Sequence, residues 1–361
     1  HPWQARHYSS RLPRKSGGVT GRSPLHDTHV RLGARFVDFG GWDMPVQYES
    51  VLAEHRVVRG GVGVFDVSHL GRLSVSGAGA TSALGILTND ASAYEPGRTH
   101  YTMLLDDAGG IVDDIVVWRW EEEHYWVMPN AANAETVMGA IQTASPDVSV
   151  EDLRTKTALL AVQGPDAPRL LEDLYGEAPR RFRTMEKGAV RMAGTGYTGE
   201  KGGELCVPAE QAADAFEAVL SAGAVPCGLG SRDTLRLEAG LVLWGSDIDL
   251  TTTPLEAGLE FAVDWEHEFI GRPSLDAQRE RGVDRRLAGL VMEGRGIPRD
   301  GYPVRSGYAT GTVTSGNISP VLDTGIALAY MSPPVEAGEA AEVEIRGRWV
   351  PAGFQDPPFF R

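Results

Sequence analysis

Cysteine is nearly absent: Cys206 and Cys227 are the only two in 361 residues, and no C-x-x-C spacing occurs. That excludes a disulfide framework and points to a reducing compartment. Positive charge is also short, with 34 Lys and Arg against 49 Asp and Glu and a net charge of −15. A nucleic-acid binder needs a basic footprint to displace counterions, so that class is excluded. No run approaches the roughly 18 to 20 apolar residues of a membrane helix, and no membrane span is expected. The nine histidines lack H-E-x-x-H or any other ligand spacing. His26 and His29 stand three apart on an expected helix, but nothing completes a metal site, and none is expected. Lysine is scarce even among the basic residues (Lys15, Lys156, Lys187 and Lys201), which suits a GC-rich bacterial genome.

What remains is the composition of a soluble globular protein, 42% hydrophobic and 23% charged, long enough for two or three domains. Residues 1–22 carry basic but no acidic side chains and read as a solvated tail or the remnant of a transit peptide. Ser23-Pro24 opens a helix over Leu25 to Leu32, and a second helix runs from about Glu49 to Arg59, stopped by Gly60. Val62 to Val75 reads as a strand, and Met103 to Trp118 as a hairpin with an Asp/Gly turn. Further strands are expected over Tyr125 to Met128 and Ala158 to Val162, with helices over Asn133 to Thr143 and Ala167 to Tyr175. After Arg285 short strands alternate with Gly and Pro, at Leu287 to Met292, Gly311 to Thr314, Ile326 to Tyr330 and Val343 to Ile345. This reads as a small β-barrel beginning near residue 284.

Residues 194–204 spell Gly-Thr-Gly-Tyr-Thr-Gly-Glu-Lys-Gly-Gly-Glu, matching the G-x-G-x-x-G dinucleotide fingerprint. That fingerprint requires a helix to open on the last glycine. Gly202 and Gly203 fall in the would-be first turn, each costing about 1 kcal/mol against Ala. Leu205 to Val207 then reads as a strand stopped by Pro208. The segment is expected to be strand, loop, strand, with the loop presenting Tyr197, Glu200 and Glu204.

Asp113 and Asp114 lie inside Ile111-Val112-Asp-Asp-Ile115-Val116-Val117-Trp118. Strand alternation sends them to opposite faces, both otherwise apolar, so the strand is expected to be buried on both sides. Such carboxylates either cap a turn and pair with Arg, or serve chemistry. Asp66, Ser68 and His69 invite a hydrolase reading, but adjacent strand residues cannot form a Ser–His–Asp series. They are taken as structural. In the helix expected over Ser231 to Gly240, Asp233 can offset Arg236 at i+3. Arg232 is then either solvated or served by an anionic ligand or a carboxylate from elsewhere.

These segments together resemble the aminomethyltransferase family, the T-protein of the glycine cleavage system. The resemblance runs from about Ser23 to the C-terminus. Its blocks are Val37-Asp-Phe-Gly-Gly-Trp-Asp-Met-Pro-Val-Gln-Tyr48, Phe65-Asp-Val-Ser-His69, Gly109-Gly-Ile-Val-Asp-Asp114 and Gln163-Gly-Pro165. Thr195-Gly-Tyr-Thr-Gly-Glu200, Gly230 to Gly240, Val313-Thr-Ser-Gly316 and Gly325-Ile-Ala-Leu-Ala-Tyr330 continue it. It implies an α+β fold, a three-domain cloverleaf around a central folate cavity, with two α/β-sheet domains and a C-terminal β-barrel. The domain limits are then 23–283 for the folate-binding region, two intertwined α+β domains with boundaries near 60 and 145, and 284–361 for the barrel. The implied reaction transfers a one-carbon unit from the S-aminomethyl-dihydrolipoyl arm of H-protein to tetrahydrofolate. Ammonia and 5,10-methylenetetrahydrofolate are the products. Tetrahydrofolate is the implied co-substrate and lipoylated H-protein the implied partner. The expected location is the bacterial cytoplasm, or the mitochondrial matrix in a eukaryote.

Carried onto this chain, Asp114 matches the family's essential carboxylate. Tyr197 and Glu204 match pterin-pocket residues, Arg232 a folate-binding arginine, and Tyr101, Val116 and Trp265 positions lining the site. Leu70 stands in that lining where the family commonly has Met. Phe261 replaces a frequent Trp, Pro129 stands before Asn130 where an aliphatic residue is usual, and Pro351 to Asp356 departs from the family's β-rich ending. A folate-dependent demethylase would share the fold. The iron–sulfur assembly factor of the same superfamily carries a loop cysteine that is absent here.

Overall fold

The apolar run over residues 157–163 is buried along almost its whole length, and a six-stranded sheet is built around it. The computed structural model describes residues 21–360. In that sheet the strands run in the order Thr184–Lys187, Val190–Ala193, Gly202–Pro208, Thr157–Gln163, Gly63–Asp66 and Val225–Pro226. Thr157–Gln163 pairs antiparallel with both neighbours, setting Leu160 between Leu205 and Asp66. The helices Ala167–Tyr175 and Ala212–Ser221 contribute Leu171 and Phe216 to one core with Val64, Leu160, Val162 and Leu205. Burying each such side chain stabilises the fold by about 1.5–3 kcal/mol.

A five-stranded sheet follows the order Arg98–Leu105, Ile111–Glu121, His124–Met128, Leu73–Ser76 and Ser149–Asp152. A three-stranded sheet joins Gly21–Arg22, Trp42–Gln47 and Arg35–Phe39. Six strands between Arg286 and Phe354 close into a barrel around Leu290, Val313, Ala329, Val343 and Phe354. The fold is therefore mixed α+β with a closed C-terminal β-barrel. The chain divides into two compact units: the part up to Leu104 together with Asp113–Arg232, and Leu105–Val112 together with the part from Asp233 onward.

The tail expected over residues 1–22 lies outside the described residues except for its end, where Gly21–Arg22 is a strand paired with Trp42 and Asp43. A second expectation also needs correction. The strand expected over 62–75 is two strands, Gly63–Asp66 and Leu73–Ser76, in different sheets. Between them Asp66 Oδ1 accepts from Ser68 N at 2.9 Å, and the buried Arg72 guanidinium donates to the carbonyls of Ser68 and Leu70 at 3.0 and 2.8 Å. Side chains thus satisfy backbone groups that a sheet would otherwise engage. At the C-terminus the atypical stretch still supplies a strand, Arg348–Phe354, which pairs with both Ala340–Ile345 and Arg286–Met292. Pro351 donates nothing there, but its carbonyl accepts from Glu293 N at 3.0 Å.

In the second unit a buried ion pair ties the barrel to the chain that precedes it. Arg236 Nη1 meets Asp247 Oδ2 at 2.7 Å, with side-chain exposures of 2% and 0%, and Arg236 Nη2 reaches Ser315 Oγ of the barrel at 2.7 Å. As expected, Asp233 also pairs with Arg236, at 2.9 Å. Arg236→Ala would leave Asp247 buried without its cation, a loss of about 3–5 kcal/mol. Urea unfolding should show that loss; one below about 1 kcal/mol would mean that the pair is not an anchor.

Candidate active site

The strand Ile111–Glu121 presents two unlike faces. Ile111, Asp113, Ile115 and Val117 are fully buried, whereas Val112, Asp114 and Val116 are only half-buried. Burial on both sides, expected from the apolar run, therefore holds for Asp113 and not for Asp114. The open face leaves Asp114 part of the hydration that an ionised carboxylate needs.

Alternation separates the two carboxylates, yet one side chain gathers them. Asn130 Nδ2 lies 2.8 Å from Asp113 Oδ1 and 2.8 Å from Asp114 Oδ1. Asn130 N and Asn133 Nδ2 complete Asp113 at 3.0 and 2.8 Å, and Tyr101 Oη donates to Asp114 Oδ2 at 3.2 Å. Asn130 is placed by the neighbouring strand His124–Met128, whose Met128 sits opposite Val116. Burial lifts both carboxyls above the ordinary carboxylate range, and the charge of Asp114 lifts Asp113 further. The Asn130 amide and the Tyr101 hydroxyl pull Asp114 back. Burial, and then Asp114, raise the Tyr101 phenol, keeping it a neutral donor.

The glycine-rich segment is a loop between antiparallel strands Val190–Ala193 and Gly202–Pro208, with Ala193 opposite Glu204. No helix opens on it, which removes the dinucleotide reading. Glu204 is buried, and Thr195 Oγ1 donates to its Oε2. Burial raises the Glu204 carboxyl, opposed by that hydroxyl and by the charge of Arg232. The Arg232 guanidinium lies over the Tyr197 ring, 4.5 Å from its centroid, a cation–π arrangement. Arg232 comes from the first turn of the helix Leu229–Glu238, which is seated by buried Glu54. That carboxylate accepts from Gly228 N at 2.8 Å and Ser231 Oγ at 3.3 Å. Tyr197 in turn acts electrostatically on Tyr101, so the two sets of residues are within reach of each other in the first unit.

Of the residues marked in the sequence, Asp114, Tyr101, Tyr197, Glu204 and Arg232 form this linked group. Leu70 and Val116 belong to the same unit and are half-buried. Trp265 belongs to the second unit, where Arg279 and Arg272 stand 4.3 and 6.0 Å from its ring. Asp66, Ser68 and His69 form no triad. Asp66 Oδ2 pairs with His29 Nε2 at 2.8 Å, Ser68 Oγ accepts from Leu159 N at 3.0 Å, and neither ring nitrogen of His69 has a hydrogen-bond partner among the described residues. Burial, and then Arg232, push the His69 imidazole down to about 3, so it stays neutral. His26 pairs separately with Asp43 at 2.9 Å. Sequence reasoning missed Asn130, Asn133 and Thr195 as partners. The available signal for Asn130 was an amide two residues beyond the strand expected over Tyr125 to Met128.

Comparison with known proteins places the chain. Residues 25–267 match the model of the GCVT N-terminal domain, and 285–361 that of the glycine cleavage T-protein C-terminal barrel domain. The chain is 46% identical to an aminomethyltransferase of Rubrobacter xylanophilus over 95% of each chain. It is 45% identical to that of Thermus thermophilus, over 94% of this chain and 98% of the other. The crystal structure of glycine cleavage system aminomethyltransferase T from Bartonella henselae superposes with a TM-score of 0.88 at 32% identity, covering 95% of this chain and 98% of that one. With both domain models matched and identity sustained from end to end, the chain belongs to the aminomethyltransferase (glycine cleavage T-protein) family.

Proposed function

We propose that the protein transfers the one-carbon unit of an aminomethyl group, carried on the dihydrolipoyl arm of H-protein, to tetrahydrofolate. Ammonia and 5,10-methylenetetrahydrofolate are released, and the reaction takes place in the bacterial cytoplasm, or in the mitochondrial matrix of a eukaryote. The observation that carries this reading is Asp114, held by Asn130 and Tyr101 on the half-open face of its strand. The donor set fits a reduced pteridine. Glu204 has one oxygen engaged by Thr195, leaving Oε1 to accept from an N–H edge. Tyr101 and Tyr197 supply flat apolar surface with a polar tip, and Arg232 supplies a cation for a carboxylate or carbonyl of the ligand.

Tetrahydrofolate, when bound, supplies the nitrogens that receive the one-carbon unit. The chain's own part is orientation and charge. Glu204 and the tyrosines hold the ring in one pose, which is worth most when the reacting atoms are already close. Ionised Asp114, fixed by an amide and a phenol, faces positive charge that develops as ammonia is expelled, and takes up the proton released at the reacting nitrogen. Because Asn130 and Tyr101 are already aligned, little reorganisation is needed at that moment.

Ammonia release from aminomethylated H-protein should depend on tetrahydrofolate. Turnover of small methyl donors in its place would instead indicate a demethylase. Asp114→Asn should lower kcat by about 10²–10³ while tetrahydrofolate still binds; undiminished turnover would remove Asp114 from the mechanism. The ionised form of Asp114 is the active one, so kcat should fall with decreasing pH through a carboxyl raised above its ordinary value. Asn130→Ala removes a hydrogen bond that lowers this carboxyl, so the acid limb of the kcat profile should move to higher pH. An unmoved limb would show that Asn130 does not control Asp114.

A further inference from the structure

The loop that imitates a dinucleotide fingerprint is folded around a glutamine. Gln163 ends the strand Thr157–Gln163 and is fully buried. Its Nε2 donates to the carbonyl of Thr195 at 3.2 Å, and its Oε1 accepts from Thr198 Oγ1 at 2.8 Å, so the loop is gripped on both sides of Tyr197. A Cβ on Gly196 would stand 2.0 Å from Gln163 Oε1, which is why a residue without one lies between the two contacts. Arg59 adds a second hold, donating at 2.8 Å to both Thr198 O and Glu200 Oε1.

The grip at Thr195 has a chemical result. Thr195 stands just beyond the strand that ends at Ala193, opposite Glu204, and its hydroxyl donates to Glu204 Oε2. That is the hydrogen bond Glu204 receives among the described residues, although only 9% of the residue is exposed. A buried carboxylate with one oxygen filled and one open is incomplete until a donor reaches it.

We propose that Thr195, held by Gln163, is a positioning residue for ligand recognition: it fixes one oxygen of Glu204 so that the other accepts from adjacent N–H groups of a nitrogen heterocycle. The proposal deepens the folate reading above and rests on it. The hydroxyl also favours the ionised carboxylate against burial, as Arg232 does. A ring edge bearing lone pairs in place of N–H groups would be turned away by that oxygen.

The test is calorimetric titration of tetrahydrofolate into the full chain between about pH 5 and pH 8. Thr195→Val keeps the shape and removes the donor. It should weaken binding about tenfold or more at neutral pH and move the acid limb of the binding curve to higher pH. Thr195→Ser restores the hydroxyl and should return both to near the wild-type values. In a Glu204→Gln background, Thr195→Val should cost much less than in the wild type, because the two residues act as one unit. Wild-type affinity in Thr195→Val at every pH, equal losses in the Val and Ser variants, or full additivity with Glu204→Gln would each overturn the proposal. A wild-type chain that takes up no tetrahydrofolate would overturn the folate reading and this proposal together, whereas the variants bear on the proposal alone.

Discussion

Two neighbouring carboxylates on one strand, one fully buried and one half-buried, need donors to offset the water they lose, and the chain around Asn130 supplies them. Asp113 is fully buried and takes three hydrogen bonds from Asn130 and Asn133, while Asp114 takes an amide from Asn130 and the hydroxyl of Tyr101. Asn130 must therefore stand where strand His124–Met128 ends, and the residue before it is fastened too. Pro129 O accepts from Gly71 N at 2.8 Å, and a Cβ on Gly71 would meet the Pro129 ring at 2.4 Å. The turn carrying Leu70 is thereby docked on the same segment that serves the carboxylates. Removing Asp113 would leave Asn130 N and Asn133 Nδ2 without the acceptor they share, and removing Asp114 would leave the Tyr101 hydroxyl without its acceptor.

The other half of the site is organised by a second buried carboxylate. Glu54 accepts from Tyr48 N and Gly228 N, at 2.7 and 2.8 Å, stitching a loop to the start of the helix that delivers Arg232. Burial raises its carboxyl while those backbone N–H groups lower it. The helix can sit so close only because Gly228 and Gly230 lack a Cβ, which would stand 2.3 and 2.6 Å from Val46 and Val51 respectively. A charge at a helix N-terminus and close backbone packing together set where the Arg232 guanidinium lies relative to Tyr197. Asp114, Glu204 and Arg232 are each placed by polar groups that are themselves held in the fold, the kind of arrangement that keeps side chains preorganised.

The second unit follows the same logic through Arg236, Asp247 and Ser315, where a single guanidinium serves the helix and the barrel at once.

Local pattern was enough to place the strand of Asp113 and Asp114, the helices at Ala167–Tyr175 and Leu229–Glu238, four of the six barrel strands, and the failure of the glycine loop to be a nucleotide motif. Alternation and helix repeat record which face of a local segment is apolar, and glycines in a first turn argue against a helix by themselves. The tertiary structure decided the rest. It broke residues 62–75 at the Asp66–Arg72 turn, left the Asp114 face half open, and brought Asn130 to both carboxylates and Thr195 to Glu204. Those outcomes depend on which donor satisfies a buried acceptor. Asn130 reaches the two carboxylates from the end of another strand, and even the local contacts at Asp66–Arg72 and Thr195–Glu204 depend on how the backbone turns, which alternation and helix repeat do not record.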